Sequence, residues 1–230
     1  MRIAGLVKSS TVDYPEMLAA VIFTPGCNLD CFYCHNRALL GNSITLLETA
    51  DVMDFLLRRR HLLDGVVFSG GEPTLQAGLG ETIGQIRRLG YKIKLDTNGT
   101  RPQVLRKLLD AGLLDYVAID CKAPWSRYAE FCDCSPADVE AIKESFKILA
   151  NSILRWEART TVIPQLSAAD LTEMARILPM APAYFLQRYN RPAIHRAEDR
   201  FRLDASGFTP AKLVLLAEEL RQYQPNIRVR

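Results

Sequence analysis

No window of the 230 residues is apolar for long enough to cross a membrane, and Met1 to Ser10 lacks the apolar core of a secretion signal. Both absences lead to the expectation of a cytoplasmic protein with no membrane partner. An excess of one charge is also missing. The 29 basic and 26 acidic residues leave a formal charge of +3, too slight to suggest a nucleic-acid partner. The one basic run, Arg58 to Arg60, fits the polar end of a helix. Linkers, low-complexity tracts and internal repeats are absent as well, so one domain over 1–230 is expected, with 48% apolar residues to fill its core.

Cysteine, by contrast, is concentrated. Cys27, Cys31 and Cys34 lie within the stretch Phe23 to Asn36, directly after an apolar run, Leu18 to Phe23, that reads as a buried strand. Soft thiolates select iron–sulfur clusters, zinc or copper(I) over hard cations. Disulfides or incidental core cysteines are the plain alternative, and the tight spacing favours a metal. Three ligands are one short of a closed structural zinc site, and His35, adjacent to Cys34, is badly placed to be the fourth. A [4Fe-4S] cluster held by three cysteines leaves one iron open to a ligand. Such thiolates persist in a reducing compartment.

Periodicity predicts alternating strands and helices. Met1 to Glu16 reads as an extended lead-in with a turn near Asp13-Tyr14-Pro15. Strands are expected at Leu18–Phe23, Gly65–Ser69, Lys92–Thr97, Tyr116–Cys121, Leu154–Ile163 and Ala183–Tyr189. Helices are expected at Thr45–Arg60, with a Thr45/Glu48 capping box, and at Gly80–Leu89, Pro102–Ala111, Pro136–Ala150, Ala168–Leu178 and Pro210–Tyr223. A short tail, Asn226 to Arg230, follows, and 191–208, rich in charge and holding His195, reads as a mobile loop. Six strand–helix units are fewer than the eight of a closed barrel, so the expected fold is α/β, a partial, open (β/α)6 barrel.

In such folds chemistry gathers where strands end. After the cysteine loop, the next exit is Ser69-Gly70-Gly71-Glu72-Pro73, where paired glycines permit close backbone approach; a plain strand-to-helix turn has the same composition. Asp96-Thr97-Asn98-Gly99 ends the third strand and is also ordinary turn chemistry. Asp120 and Lys122 share one face of the fourth strand's end, as a structural ion pair or as groups facing a site. Arg159 lies on the fifth strand, where a surface position is the plain reading.

These motifs together resemble the radical S-adenosylmethionine enzymes. The Cys27-x-x-x-Cys31-x-x-Cys34 spacing, with the aromatic Tyr33 before the last cysteine, is similar to their signature, and Gly70-Gly71-Glu72-Pro73 to their Gly-Gly-Glu-Pro motif. The stretch from Gly5-Leu6-Val7-Lys8 through Val12-Asp13-Tyr14-Pro15 is closest to activating proteins of anaerobic ribonucleoside-triphosphate reductase, although Glu16 stands where a glycine is expected. The resemblance implies the partial barrel and a [4Fe-4S] cluster on Cys27, Cys31 and Cys34. It implies that S-adenosyl-L-methionine contacts Tyr33, Gly70, Gly71, Glu72 and Pro73, with its amino group at the glycine motif. Asp96, Thr97, Asn98 and Asp120 belong to segments similar to those of pyruvate formate-lyase activases, which implies a monovalent cation near Asp96, Thr97 and Asp120, and Lys122 and Arg159 near the cofactor carboxylate. Gln187-Arg188-Tyr189-Asn190 departs from the histidine-containing sixth exit of those enzymes.

The implied activity is reductive cleavage of S-adenosyl-L-methionine and generation of a glycyl radical on a partner enzyme, with electrons from a flavodoxin- or ferredoxin-type donor and no catalytic acid or base from the protein. Two other classes stay open: a radical enzyme acting on a small molecule, such as a deazaguanine-forming synthase, and a non-catalytic metal-binding module. Cys121, Cys132 and Cys134 are spaced poorly for a second cluster and suit small buried apolar residues.

Overall fold

The computed structural model describes residues 1–41 and 44–230. They divide into two compact units: Met1–Asn28, Ala38–Thr97 and Arg101–Ala118 form one, and Leu29–Arg37, Asn98–Thr100 and Ile119–Arg230 the other.

The first unit is built on β1 (Gly5–Ser10), β2 (Ala19–Thr24), α1 (Thr49–Arg59), β3 (Gly65–Gly70), α2 (Leu79–Arg88), β4 (Lys92–Thr97) and α3 (Pro102–Asp110), and it takes in the start of β5 (Tyr116–Asp120). β2 and β3 read as continuous apolar runs because both faces of a parallel sheet are covered; Ala19 to Ile22 and Val66 to Phe68 are at most 1% exposed. β2 pairs in parallel with β3 and β3 with β4, and the register sets Thr24 level with Gly70. The loops that follow therefore leave β2 and β3 at the same height. β1 runs antiparallel to β2. Its half-exposed residues carry no clean alternation, which is why the lead-in showed only as extended.

The second unit contains α4 (Tyr128–Cys132), α5 (Pro136–Ala150), β6 (Arg155–Val162), α6 (Ala168–Ile177), β7 (Tyr184–Arg188), α7 (Arg200–Leu203), α8 (Pro210–Leu220) and β8 (Ile227–Val229). Reciprocal capping boxes, Ser135 with Asp138 and Ser167 with Asp170, start α5 and α6. β6, β7 and β8 pair in parallel. The tail thus ends as a strand of three residues, too short for a periodic signal. The segment 191–208 holds α7, a 3-10 turn at Ala197–Asp199 and an Arg191–Asp204 ion pair of 2.6 Å.

The strand order follows the chain, β1-β2-β3-β4-β5-β6-β7-β8, an open α/β sheet that starts and stops at different strands, as the partial-barrel expectation requires. No helix among the described residues is long and apolar enough to cross a membrane.

One helix start differs from expectation. α1 begins at Thr49, with Glu48 at its N-cap and no side-chain cap bond, so the Thr45/Glu48 box does not form. Leu47 instead makes an antiparallel bridge to Ile3, donating its N–H to the Ile3 carbonyl at 2.9 Å, and this bridge holds the preceding backbone out of the helix. Glu16 has φ +65°, the left-handed region in which a side chain is strained, so the position suits the glycine expected there. Glu16→Gly is expected to stabilise the fold by up to about 1 kcal/mol, a rise in Tm of roughly 2–4 °C in thermal denaturation; an unchanged or lower Tm contradicts strain at this position.

Candidate active site

In the first unit, the start of the cysteine loop is stitched to the turn after β3. Gly71 N donates to the Thr24 carbonyl and Glu72 N to the Gly26 carbonyl, both at 2.8 Å. Gln76 Nε2 donates to the Pro25 carbonyl at 2.7 Å. A Cβ on Gly71 would lie 1.9 Å from the Gly26 oxygen, and one on Gly70, whose φ is +107°, 2.6 Å from Thr24 N. The paired glycines are thus required by the approach of two loops, and the amides of Gly71 and Glu72 are spent on that contact. Cys27, next to Gly26, is half-buried.

Glu72 is 1% exposed, and its Oε1 accepts from Thr74 N at 3.0 Å, Thr74 Oγ1 at 2.5 Å and Thr97 Oγ1 at 2.8 Å. Pro73 opens the 3-10 turn Pro73–Leu75 that presents Thr74. The structure therefore joins Glu72 of one motif to Thr97 of another. Asp96, beside Thr97, accepts from Ser69 Oγ at 3.1 Å and from the buried Lys94 ammonium at 2.5 Å. Lys94 was missed by motif reading, yet strand alternation from Asp96 puts it on the same face.

In the second unit, the remainder of the cysteine loop, Leu29–Arg37, turns with Cys34 N donating to the Cys31 carbonyl at 3.1 Å. Asp30 receives Arg37 at 2.6 Å and Arg196 at 2.9 Å, and Arg37 also donates to the Cys31 carbonyl at 2.8 Å. The loop lies along α4: Asp30 N donates to the Cys132 carbonyl at 2.9 Å and Phe32 N to the Phe131 carbonyl at 3.3 Å. The Arg202 guanidinium covers the Phe32 ring at 3.7 Å, and Arg127 covers Phe131 at 4.7 Å.

At the end of β5, Asp120 holds two cations at once: Lys122 Nζ on Oδ2 at 2.9 Å and Arg159 Nε on Oδ1 at 3.0 Å. The Arg159 side chain is only 13% exposed, so the surface reading fails. Burial works against the Lys122 ammonium, but Asp120 and the nearby thiols of Cys31 and Cys132 hold its pKa well above the usual lysine range. Asn98 Oδ1 accepts from Thr100 N at 2.9 Å and Thr100 Oγ1 at 2.7 Å, the side-chain turn that Asn-Gly chemistry suggests.

The thiols differ in character. A hydrogen bond from the Cys132 thiol lowers the Cys31 pKa against the effect of burial, with help from Lys122. That same bond, followed by burial, pushes Cys132 up, and burial raises Cys34. Burial takes Cys121 to about 12 and Cys134 to about 11, so both stay protonated, as small buried residues would. No three His, Cys, Asp or Glu side chains among the described residues gather around a single-ion position. A cubane makes no such demand, since each cysteine binds a different iron. Soft donors from one short loop, one of them polarised towards thiolate, fit a [4Fe-4S] cluster.

Residues 21–178 match the radical SAM superfamily. Two proteins of Methanocaldococcus jannaschii, both provisionally named glycyl-radical enzyme activating enzymes, are similar to this chain. One is 36% identical over 196 residues, 81% of this chain and 79% of that protein. The other is 29% identical over 173 residues, 74% of this chain and 64% of its own length, a little under two thirds. A crystal structure of a domain of a pyruvate-formate lyase-activating enzyme from Bacteroides vulgatus shares the fold, with TM-score 0.57 and 19% identity over 73% of this chain and 99% of that one.

Thr97→Val keeps the shape of the side chain and removes one donor from the buried Glu72 carboxylate. The expected cost is about 1–3 kcal/mol in denaturant unfolding of the protein without cofactors; a loss below about 0.5 kcal/mol would show that the Thr97–Glu72 bond is dispensable.

Proposed function

Because the chain belongs to the radical SAM superfamily, we propose that it is an activating enzyme that generates a glycyl radical on a partner protein, an anaerobic ribonucleoside-triphosphate reductase. Similarity to the two archaeal proteins along most of the chain carries the activase reading. The motifs of the N-terminal stretch carry the choice of partner.

The family implies a [4Fe-4S] cluster and S-adenosyl-L-methionine, which together supply one-electron cleavage of the cofactor to methionine and a 5′-deoxyadenosyl radical. The residues of this chain have narrower tasks. Cys27, Cys31 and Cys34 serve as ligands. Asp120 holds the Lys122 ammonium and the Arg159 guanidinium on one carboxylate, a rigid cationic pair suited to the cofactor's carboxylate. Glu72, gripped by Thr74 and Thr97, fixes the glycine-motif turn for the amino group, and Tyr33, Pro73, Asp96 and Asn98 complete the cofactor's surroundings. No side chain is required as acid or base.

Asp96 already carries Lys94, and Asp120 carries Lys122 and Arg159, so the reading works without a monovalent cation. Electrons come from a flavodoxin- or ferredoxin-type donor. Six cysteines with no disulfide among them suit a reducing compartment, which supports placement in the cytoplasm.

The test is electron paramagnetic resonance on reconstituted, reduced protein mixed with S-adenosyl-L-methionine and the host's anaerobic ribonucleotide reductase. A glycyl-radical signal is expected, and Cys27→Ala, Cys31→Ala and Cys34→Ala should each abolish it. Cofactor cleavage without a glycyl radical would remove the partner and bring forward a small-molecule substrate. Bound zinc with no cleavage would remove the cluster reading altogether.

A further inference from the structure

Lys94 stands in the middle of β4, level with Val67 of β3, and residues level on neighbouring strands point to the same face of the sheet. That face is apolar at this height: Val67 belongs to a buried cluster with Tyr14, Ala19, Val21 and Tyr116. Lys94 is nonetheless 2% exposed. Lysine is almost never buried to this degree unless its charge is paired. Two groups receive the ammonium. Asp96, next along the same face, accepts it on Oδ1 at 2.5 Å, and the Tyr116 ring centre lies 5.9 Å from Nζ. The other oxygen of Asp96, Oδ2, accepts from Ser69 Oγ at 3.1 Å.

Stability alone does not account for this pair. Replacing a buried ion pair by apolar residues of similar volume is often neutral or stabilising, whereas stranding one member is costly. The pair is therefore explained by what a carboxylate does at the exit of β4, where Asp96 ends the strand beside Thr97. Resemblance in sequence implies a monovalent cation near Asp96, Thr97 and Asp120. At Asp96 the charge that such an ion would bring is already present on Lys94. An ammonium carries the same single positive charge, and because it is tethered to β4 it is neither diluted away nor exchanged for another ion.

We propose that the Lys94 ammonium stands in for a monovalent cation at Asp96. It is a positioning residue: it acts through the Asp96 carboxylate, which it holds from one side while Ser69 holds it from the other, and the protein consequently needs neither sodium nor potassium. The inference rests on the reading of Asp96 as part of the cofactor's surroundings, and it brings to that site a residue outside every motif of the sequence.

The experiment compares potassium, sodium and tetramethylammonium chlorides at equal ionic strength, the last cation being too bulky for a buried position. Thermal denaturation of the protein without cluster or S-adenosyl-L-methionine is followed for wild type, Lys94→Ala and Lys94→Met. Wild type should show the same Tm in all three salts. Lys94→Ala removes the ammonium and leaves room for an ion, so its Tm should fall in tetramethylammonium and recover by about 2–4 °C in potassium or sodium. A merely structural lysine would leave a loss that no ion repairs. Where the alanine variant does not fold, Lys94→Met, which keeps an apolar stem, is read in the same way, and the wild-type comparison needs no variant. Binding of S-adenosyl-L-methionine to the reconstituted protein is then measured in the same salts. Wild type should bind equally in each, and Lys94→Ala should bind about tenfold more weakly in tetramethylammonium than in potassium or sodium. A wild type with a higher Tm or tighter binding in potassium or sodium overturns the proposal. So does a folded variant that no ion rescues. Wild type that binds no S-adenosyl-L-methionine in any salt overturns the cofactor reading instead, and the denaturation series still decides whether Lys94 replaces an ion.

Discussion

Two main-chain loops lie closer together than any side chain would permit, and the arrangement of the first unit depends on that contact. With a Cβ at position 71 only 1.9 Å from the Gly26 oxygen, no other residue fits without moving one loop. The approach makes possible the bonds from Gly71 N to Thr24 and from Glu72 N to Gly26. Cys27 follows Gly26, and Glu72 reaches on to Thr97, so a cysteine, a carboxylate and the end of β4 are fixed with respect to one another by hydrogen bonds. A site built this way owes its geometry to the strand ends rather than to flexible loops, which is the condition for holding reactive groups in place.

Charge is handled by the same economy in both units. Removing one member of a buried ion pair costs about 3–5 kcal/mol, because it strands the other. The carboxylates on β4 and β5 are accordingly matched with cations close in the fold: Lys94 on Asp96, and Lys122 with Arg159 on Asp120. The second arrangement holds two cations on one carboxylate, which fixes their directions.

The cysteine loop depends equally on parts of the chain far from it in sequence. Arg196 reaches Asp30, and Arg202 covers Phe32. Both arginines come from 191–208, the stretch with least pattern in the sequence. Together with α4, which offers its last two carbonyls to the loop, they give Cys31 a defined setting. A protein that handles a radical needs such enclosure, because water and mobile side chains are alternative reactants.

Local pattern was enough for much of the fold. Apolar runs bounded by glycine located β2 and β3, and helical periodicity found α2, α3, α5 and α6 within a residue or two at each end. The edge strands β1 and β8 escaped because half-exposed or very short strands leave no periodic trace. The spacing of Cys27, Cys31 and Cys34, and the glycines at 70 and 71, could likewise be read directly, since a tight ligand loop and a close backbone approach each demand a residue type at a set interval. Tertiary structure alone decided the partners: Arg159 on Asp120 across 39 residues, Arg196 on Asp30 across 166, and the Asp30 amide on the Cys132 carbonyl. Spacing along a chain prescribes what one loop can do by itself, whereas a hydrogen bond or ion pair requires atoms within about 3 Å, and only the packing of distant elements brings them there.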